Sequence, residues 1–317
     1  MVDNPEDASS DTGPESQLKS APEQALDAIG LLIVEQKPGF RDGDVISAEA
    51  VARRTGVSKA TGRDVIQALS QMRLVQITPR VGATVQKPEE WNMLDPSVID
   101  WRLQLRSSRL VRRALAELRD VLEPAAARFA AQRATADVCQ ELYWLAEDLF
   151  EIGHRKPFTE ADRKQFRDVD GRFHTALLAA SGNEAFRSLA HVVVGVMNYR
   201  IDRQWAGDQH RARPAQLPSG DVPDFPNSPE PIALWLHRCL ARAVVHGQPE
   251  AAYAFSRGQL AEIDDGLLLD AELRAAIVAG FDSIELTAAE RQEARDVFDT
   301  CLQEARERQR RRTGWDQ

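Results

Sequence analysis

The chain has 317 residues and a formal net charge of -9, with 28% charged and 43% hydrophobic residues. That length exceeds the usual size of one hydrophobic core, so two domains with tails are expected. No apolar run approaches the roughly 20 residues that cross a bilayer, and no basic-then-apolar leader opens the chain. The expectation is a soluble, cytoplasmic protein with no membrane partner. Cys139, Cys239 and Cys301 lack the paired spacing of a zinc knuckle or disulfide framework, and read as ordinary buried thiols.

The charge is unevenly spread. Residues 1–22 read as a disordered acidic tail, rich in Ser, Pro and Asp. Between Arg41 and Lys87 the sign reverses, with eight Lys or Arg against four Asp or Glu. A negative whole-chain sum therefore does not exclude a nucleic-acid partner.

Leu26, Ile29, Leu32 and Ile33 recur at helical spacing and predict a first amphipathic helix from about Glu23. Pro38, Gly39, Asp42 and Gly43 break it, and Ser47 is placed to cap a short second helix with Val51 inward. Thr55-Gly56-Val57-Ser58 then turns the chain. Gly56 supplies a left-handed residue, and Ser58 caps a third helix whose Val65, Ile66, Leu69 and Met72 face inward. Residues 74–78 read as a strand, 79–82 as a turn and 83–85 as a returning strand. A hairpin directly after a helix-turn-helix is a wing, so residues 23–88 read as a winged helix-turn-helix.

A recognition helix presents polar side chains from its first turn to the major groove, while hydroxyls, amides and cations hold phosphates. Ser58, Lys59, Ala60, Thr61 and Arg63 supply that inventory, and Lys59 and Arg63, four apart, share a face. Arg80 at the wing tip is placed for the adjacent minor groove or backbone. Any exposed helix start carries such residues singly for solvation; their order is what points to double-stranded DNA.

Residues 89–109 read as a linker, and beyond Pro88 the pattern is helical, with an apolar stripe at Leu115, Leu118, Val121, Leu122 and Ala125. The fold class is thus all-α dominated: an N-terminal winged helix-turn-helix followed by a C-terminal antiparallel helical bundle. Gln204–Pro231, rich in Gly, Pro, Asp and Asn, interrupts the bundle as a lid or a disordered insertion. Residues 268–317 form a C-terminal helical extension, its last helix opened by a Thr287/Glu290 capping box and ending in the basic run Arg306–Arg312. An accessory dimer helix, a source of nonspecific DNA affinity and a solvated tail are its alternatives, the last being the plainest.

On these residues the chain resembles a known family. Gly56-Val57-Ser58-Lys59-Ala60-Thr61-Gly62-Arg63-Asp64-Val65-Ile66 and Arg80-Val81-Gly82-Ala83-Thr84-Val85 are similar to the helix-turn-helix and the Arg-x-Gly wing of GntR-family regulators, which adds Gly82 to the DNA-facing set. Three departures stand out: Lys59 replaces an Arg, Gly62 an apolar residue, and Glu49 sits where many members have a DNA-contacting Arg. Taken alone, Gly62 weakens the recognition helix by up to about 1 kcal/mol relative to Ala.

Residues 110–267 resemble the FCD, FadR-like branch of that family, through Leu118-Arg119-Asp120-Val121-Leu122-Glu123, Asp170-Gly171-Arg172-Phe173-His174, Ala180-Ser181-Gly182-Asn183 and His237. The resemblance implies a dimerising helical bundle around an effector pocket, often with a divalent metal on one Asp and three His. Asp170 and His174, at i and i+4, share one side of a helix, with His237 from a facing one. Gln259 stands at the fourth position, a weaker donor. Zinc, nickel or manganese is the implied cofactor, a carboxylate effector completing its sphere; a metal-free Asp170–His174 hydrogen bond is the alternative. Arg119 is a candidate clamp for an effector carboxylate, or a partner of Glu123. Asn183 is an effector candidate or a turn anchor, and Arg200 and Gln259 complete the effector set. The segment Trp91–Trp101 resembles linkers of members that answer to sugar acids such as galactonate.

The reading that follows is a homodimeric transcriptional regulator, a repressor released from its operator by a small carboxylate or sugar acid. The rivals are a metal-dependent enzyme using Asp170, His174 and His237, and a ligand sensor that no longer binds DNA.

Overall fold

A computed structural model describes residues 19–105, 108–206, 229–261 and 271–313, with side chains left out at 199–206, 261 and 308–313. The chain divides into two compact units, Met1–Arg102 and Leu103–Gln317. Most of the acidic tail, most of the 204–231 insertion and the side chain of Arg200 lie outside the described residues.

In the first unit α1 (Ala21–Val34) opens with a reciprocal cap between Ser20 and Glu23 and buries Ala25, Ile29 and Ile33. Strand β1 (Val45–Ile46) precedes α2 (Ala48–Thr55), which Ser47 caps by accepting from the Ala50 amide. Gly56 at φ 74 ends α2, and Ser58 accepts from the Thr61 amide to start α3 (Lys59–Gln71). Strands β2 (Val75–Thr78) and β3 (Gly82–Val85) form an antiparallel hairpin with Val75 opposite Val85. The spare edge of β3 pairs with β1, so the sheet order is β1-β3-β2. Two residues are too short for an alternation pattern, which is why β1 escapes sequence reading.

A short 3-10 turn (Pro88–Glu90) leads to α4 (Pro96–Leu103). The segment read as a linker has another use. The Trp101 indole donates to Asp27 of α1 at 3.1 Å, and its ring covers Gly30, where an added Cβ would meet it at 2.4 Å. Trp91 donates to the Gln86 carbonyl at 2.9 Å. Both contacts lie within the first unit and close its own core.

Gly62 also differs from expectation. A Cβ there would stand 2.5 Å from the Ala48 carbonyl oxygen, so the missing side chain lets the first turns of α2 and α3 touch. The helix-propensity loss is real, but the residue is required by packing.

The second unit comprises α5 (Arg109–Arg133), α6 (Ala136–Gly153), α7 (Glu160–Ala180), α8 (Glu184–Ser188), α9 (Ala190–Ala206), α10 (Pro231–Val245), α11 (Pro249–Ala261), α12 (Ala271–Ser283) and α13 (Ala288–Thr313). Helix α5 packs on α7, α9, α10 and α11, while α6 packs on α7 and α10. Phe173, Trp235 and Phe255 are fully buried in the resulting core.

The C-terminal pair is not a solvated tail. Phe281 of α12 and Phe298 of α13 belong to the same core, in a row where Phe255 and Phe281 are 5.5 Å apart and Phe281 and Phe298 6.0 Å. Gly280 lies against Phe255 and Gly258 against Ile277, contacts that a Cβ would obstruct. The expected Thr287/Glu290 capping box is present, and Glu290 also bonds Arg242 of α10 at 3.1 Å. Cys239 and Cys301 are buried, Cys139 is half-buried and all three are free. Among the described residues, no helix is long and apolar enough to cross a membrane.

Candidate functional site

Two surfaces bring the sequence-predicted residues together, one in each unit. In the first, α3 begins with the Ser58 hydroxyl 3.0 Å from the Thr61 amide and 2.9 Å from its hydroxyl. Ser58, Lys59, Ala60 and Arg63 are exposed and Thr61 is half-buried, while Val65, Ile66 and Leu69 face the core. The first turn thus offers hydroxyl, ammonium and guanidinium groups on a rigid, capped helix. Lys59 is ion-paired with Glu49 of α2, a partner that spacing along the chain does not reveal.

The hairpin tip has its own logic. Arg80 adopts φ 66 and Gly82 φ 120, so the tight turn holds the exposed Arg80 at its apex. At Gly82 a Cβ would also stand 2.9 Å from Val45 of β1, so glycine is required there by both conformation and space. Gly82 thus shapes the wing.

The second surface is buried. Asp170 and His174 on α7, His237 on α10, and Arg119 and Glu123 on α5 converge inside the bundle, each at most 6% exposed. His174 Nδ1 lies 2.7 Å from Glu123 Oε2, and Arg119 is paired with the other oxygen of the same carboxylate. His237 Nδ1 lies 2.7 Å from the Ala233 carbonyl. A carbonyl only accepts, so His237 Nδ1 carries a hydrogen. Burial alone would raise the Glu123 carboxyl, but the Arg119 charge and the His174 ring overcome it and hold it at about 2.

Both rings turn Nε2 toward the centre of the cluster. Those two nitrogens face each other at 3.3 Å, and Asp170 Oδ1 is 3.2 Å from His237 Nε2 and 3.8 Å from His174 Nε2. Burial would raise the Asp170 carboxyl, yet the His237 bond and the nearby His174 and Arg119 charges draw it below its ordinary value. A carboxylate and two imidazole nitrogens gathered in a low-dielectric interior are satisfied by shared hydrogens or by a metal ion. One ligand atom from each of Asp170, His174 and His237 falls within 4.8 Å of the others, a span that fits a divalent ion.

The remaining candidates separate. Asn183 caps α8, its Oδ1 accepting from the Ala185 and Phe186 amides, which is the turn-anchor alternative. Gln259 is 6% exposed on α11, and both of its amide atoms are without a partner among the described residues. So is the hydroxyl of Ser256, one turn earlier and fully buried. Buried polar atoms left unpaired are rare and call for a ligand or water. Sequence reasoning missed Ser256, and it saw Glu123 only as a partner for Arg119. The signal was present for Glu123, since Arg119 and Glu123 share a helix face at i and i+4, but the approach of His174 from α7 is tertiary.

Residues 114–262 match the family model described as the FCD domain. Over 182 residues, 57% of this chain and 76% of the relative, the sequence is 28% identical to the galactonate operon transcriptional repressor of Escherichia coli K12. An uncharacterized HTH-type transcriptional regulator of the same organism, YieP, is 26% identical over 161 residues, 50% of this chain and 68% of the relative. Among solved structures, a GntR protein of Streptococcus agalactiae is similar at 21% identity with a TM-score of 0.38, covering 76% of this chain and 98% of its own.

Proposed function

Because the chain belongs to the GntR family of regulators, in the FadR-like branch with an FCD domain, we propose that it represses a promoter as a homodimer and releases it when a small hydroxylated acid binds the second unit. It is a DNA-binding transcriptional regulator and not an enzyme, since its FCD domain and both relatives are those of regulators. The observation that carries the repressor reading is the paired equipment of the two units. A capped basic helix with a wing stands in one, and a buried acceptor cluster beside a fixed guanidinium stands in the other.

The acceptor set of Asp170, His174 and His237 fits zinc, nickel or manganese, which when bound supplies a Lewis-acidic centre for a carboxylate or hydroxyl oxygen. The chain's own residues do the rest. Glu123 and the Ala233 carbonyl hold the two imidazoles with Nε2 inward, the outer-shell device that fixes tautomer and orientation. Arg119, already engaged with Glu123, keeps further guanidinium donors for an incoming carboxylate. Ser256 and Gln259 offer a hydroxyl and an amide in need of partners, chemistry suited to a hydroxylated acid rather than an acyl chain. Galactonate, named for the first relative, is a reasonable first ligand to try.

The homodimer is assigned to the outer face of α5. Leu110 and Val121 are 78% and 73% exposed, and with the exposed Ala114 they form an apolar row at helical spacing. A second copy covering that row would also supply the second recognition helix that a two-fold operator requires.

The test is binding of the full-length protein to its own promoter at several salt concentrations, with and without a panel of sugar acids. Salt-sensitive binding relieved by one acid is the expected result, because phosphate neutralisation releases counterions. Binding that no acid alters would remove the release mechanism while leaving a regulator.

A further inference from the structure

The recognition helix carries an acid at its side. Glu49, the second residue of α2, is ion-paired with Lys59, the first residue of α3, and the two side chains are 51% and 53% exposed. Their meeting is built in by Gly62, whose missing Cβ allows the Ala48 carbonyl to rest on the first turn of α3. The pair therefore stands among Ser58, Ala60 and Arg63, on the surface that faces DNA. The bond from Lys59, followed by a backbone bond and the Arg63 charge, draws the Glu49 carboxyl below its ordinary value, so it is ionised at neutral pH.

An exposed ion pair of this kind contributes little to stability. A carboxylate on a phosphate-facing surface also costs general affinity, because it cancels a cation that would otherwise release counterions. What a carboxylate does supply is an acceptor for the cytosine amino group in the major groove, a contact that a lysine or arginine cannot make. Lys59, bound to one of its oxygens, screens it from the phosphates and fixes its direction.

We propose that Glu49 is a specificity-determining residue of this regulator, accepting from the N4 amino group of a cytosine in each half-site, with Lys59 as its positioning residue. The inference rests on the DNA-binding reading of the first unit. It predicts two separable effects of the carboxylate: selection for one base, and suppression of binding to unrelated duplex.

The experiment compares the full-length wild type with Glu49→Gln on the promoter duplex, on single-base-pair variants of it and on an unrelated duplex. A thermal melt of both proteins verifies that the fold is unchanged. For the wild type, replacing the cytosine at one symmetry-related position should weaken binding by roughly 5- to 150-fold. Glu49→Gln should lose that preference, shift toward adenine, and bind the unrelated duplex more tightly with a salt slope steeper by about one per half-site. Identical base preferences in the two proteins would overturn the role of Glu49 and leave the regulator intact. A wild type that binds no duplex at any salt would overturn the DNA-binding reading itself, and this proposal with it.

Discussion

His174 and His237 approach each other through their Nε2 atoms at 3.3 Å, with His237 Nδ1 bonded to the Ala233 carbonyl and His174 Nδ1 2.7 Å from Glu123 Oε2. Without a metal that approach is an N–H···N hydrogen bond; with one, both nitrogens can turn their lone pairs to the ion. A metal-stripped preparation titrated with zinc, nickel or manganese should therefore gain thermal stability, by about 2.7 kcal/mol at a hundredfold excess over Kd. Asp170→Ala and His237→Ala should lose most of that gain. A metal-independent melting temperature in the wild type would leave the pair as a hydrogen bond and remove the metal.

Glu123 is ion-paired with Arg119 through one oxygen and stands 2.7 Å from His174 Nδ1 through the other. Glu123→Gln should leave the Arg119 charge buried without its counter-ion, a loss of about 3–5 kcal/mol in chemical unfolding. The same variant should weaken metal binding by about 10- to 100-fold, because His174 loses the group that orients it. Arg119→Met, which removes the other charge, separates the two effects. If the double variant recovers stability but not metal affinity, the carboxylate acts through His174.

Much of this was legible in the sequence where the determinants are local. The caps at Ser47, Ser58 and Thr287, the left-handed Gly56 and the apolar face of α3 each follow from residues within one or two turns. The Asp170/His174 spacing likewise marks one face of α7. What escaped depends on elements far apart in the chain: β1 pairing with β3, Glu123 meeting His174, and Glu49 meeting Lys59. The burial of α12 and α13 escaped for a related reason. Helix α13 is so polar along its length that its inward residues, Ala294, Phe298, Cys301, Leu302 and Ala305, three of them small, stand out little despite their helical spacing.

Gly62 makes a discriminating prediction because two effects oppose each other. Helix propensity alone says that Gly62→Ala stabilises α3 by about 1 kcal/mol. A Cβ 2.5 Å from the Ala48 carbonyl oxygen says that α2 must move, at a cost of about 1–3 kcal/mol. The obstructing atom is backbone, so the second effect should win. Thermal melting of Gly62→Ala should show net destabilisation and promoter binding should fall with it. A stabilised variant that still binds would mean that the two helices separate without penalty.

The last prediction concerns acid stability and the C-terminal pair. Burial would raise the Glu290 carboxyl, but the Thr287 backbone and hydroxyl and the Arg242 guanidinium hold it at about 2, below its ordinary value of 4.5. A carboxyl depressed by folding contributes stability above its unfolded value, and that contribution is lost as pH falls through the folded one. Between about pH 4.5 and pH 2, unfolding should therefore become easier partly through Glu290. Glu290→Gln should be less stable than wild type at neutral pH, with the difference shrinking across that window. Phe281→Ala, in the same helix pair but without a titrating group, should lose about 3–5 kcal/mol at every pH. If neither variant changes the unfolding of the second unit, α12 and α13 are not part of its core, and the row from Phe255 to Phe298 does not hold them there.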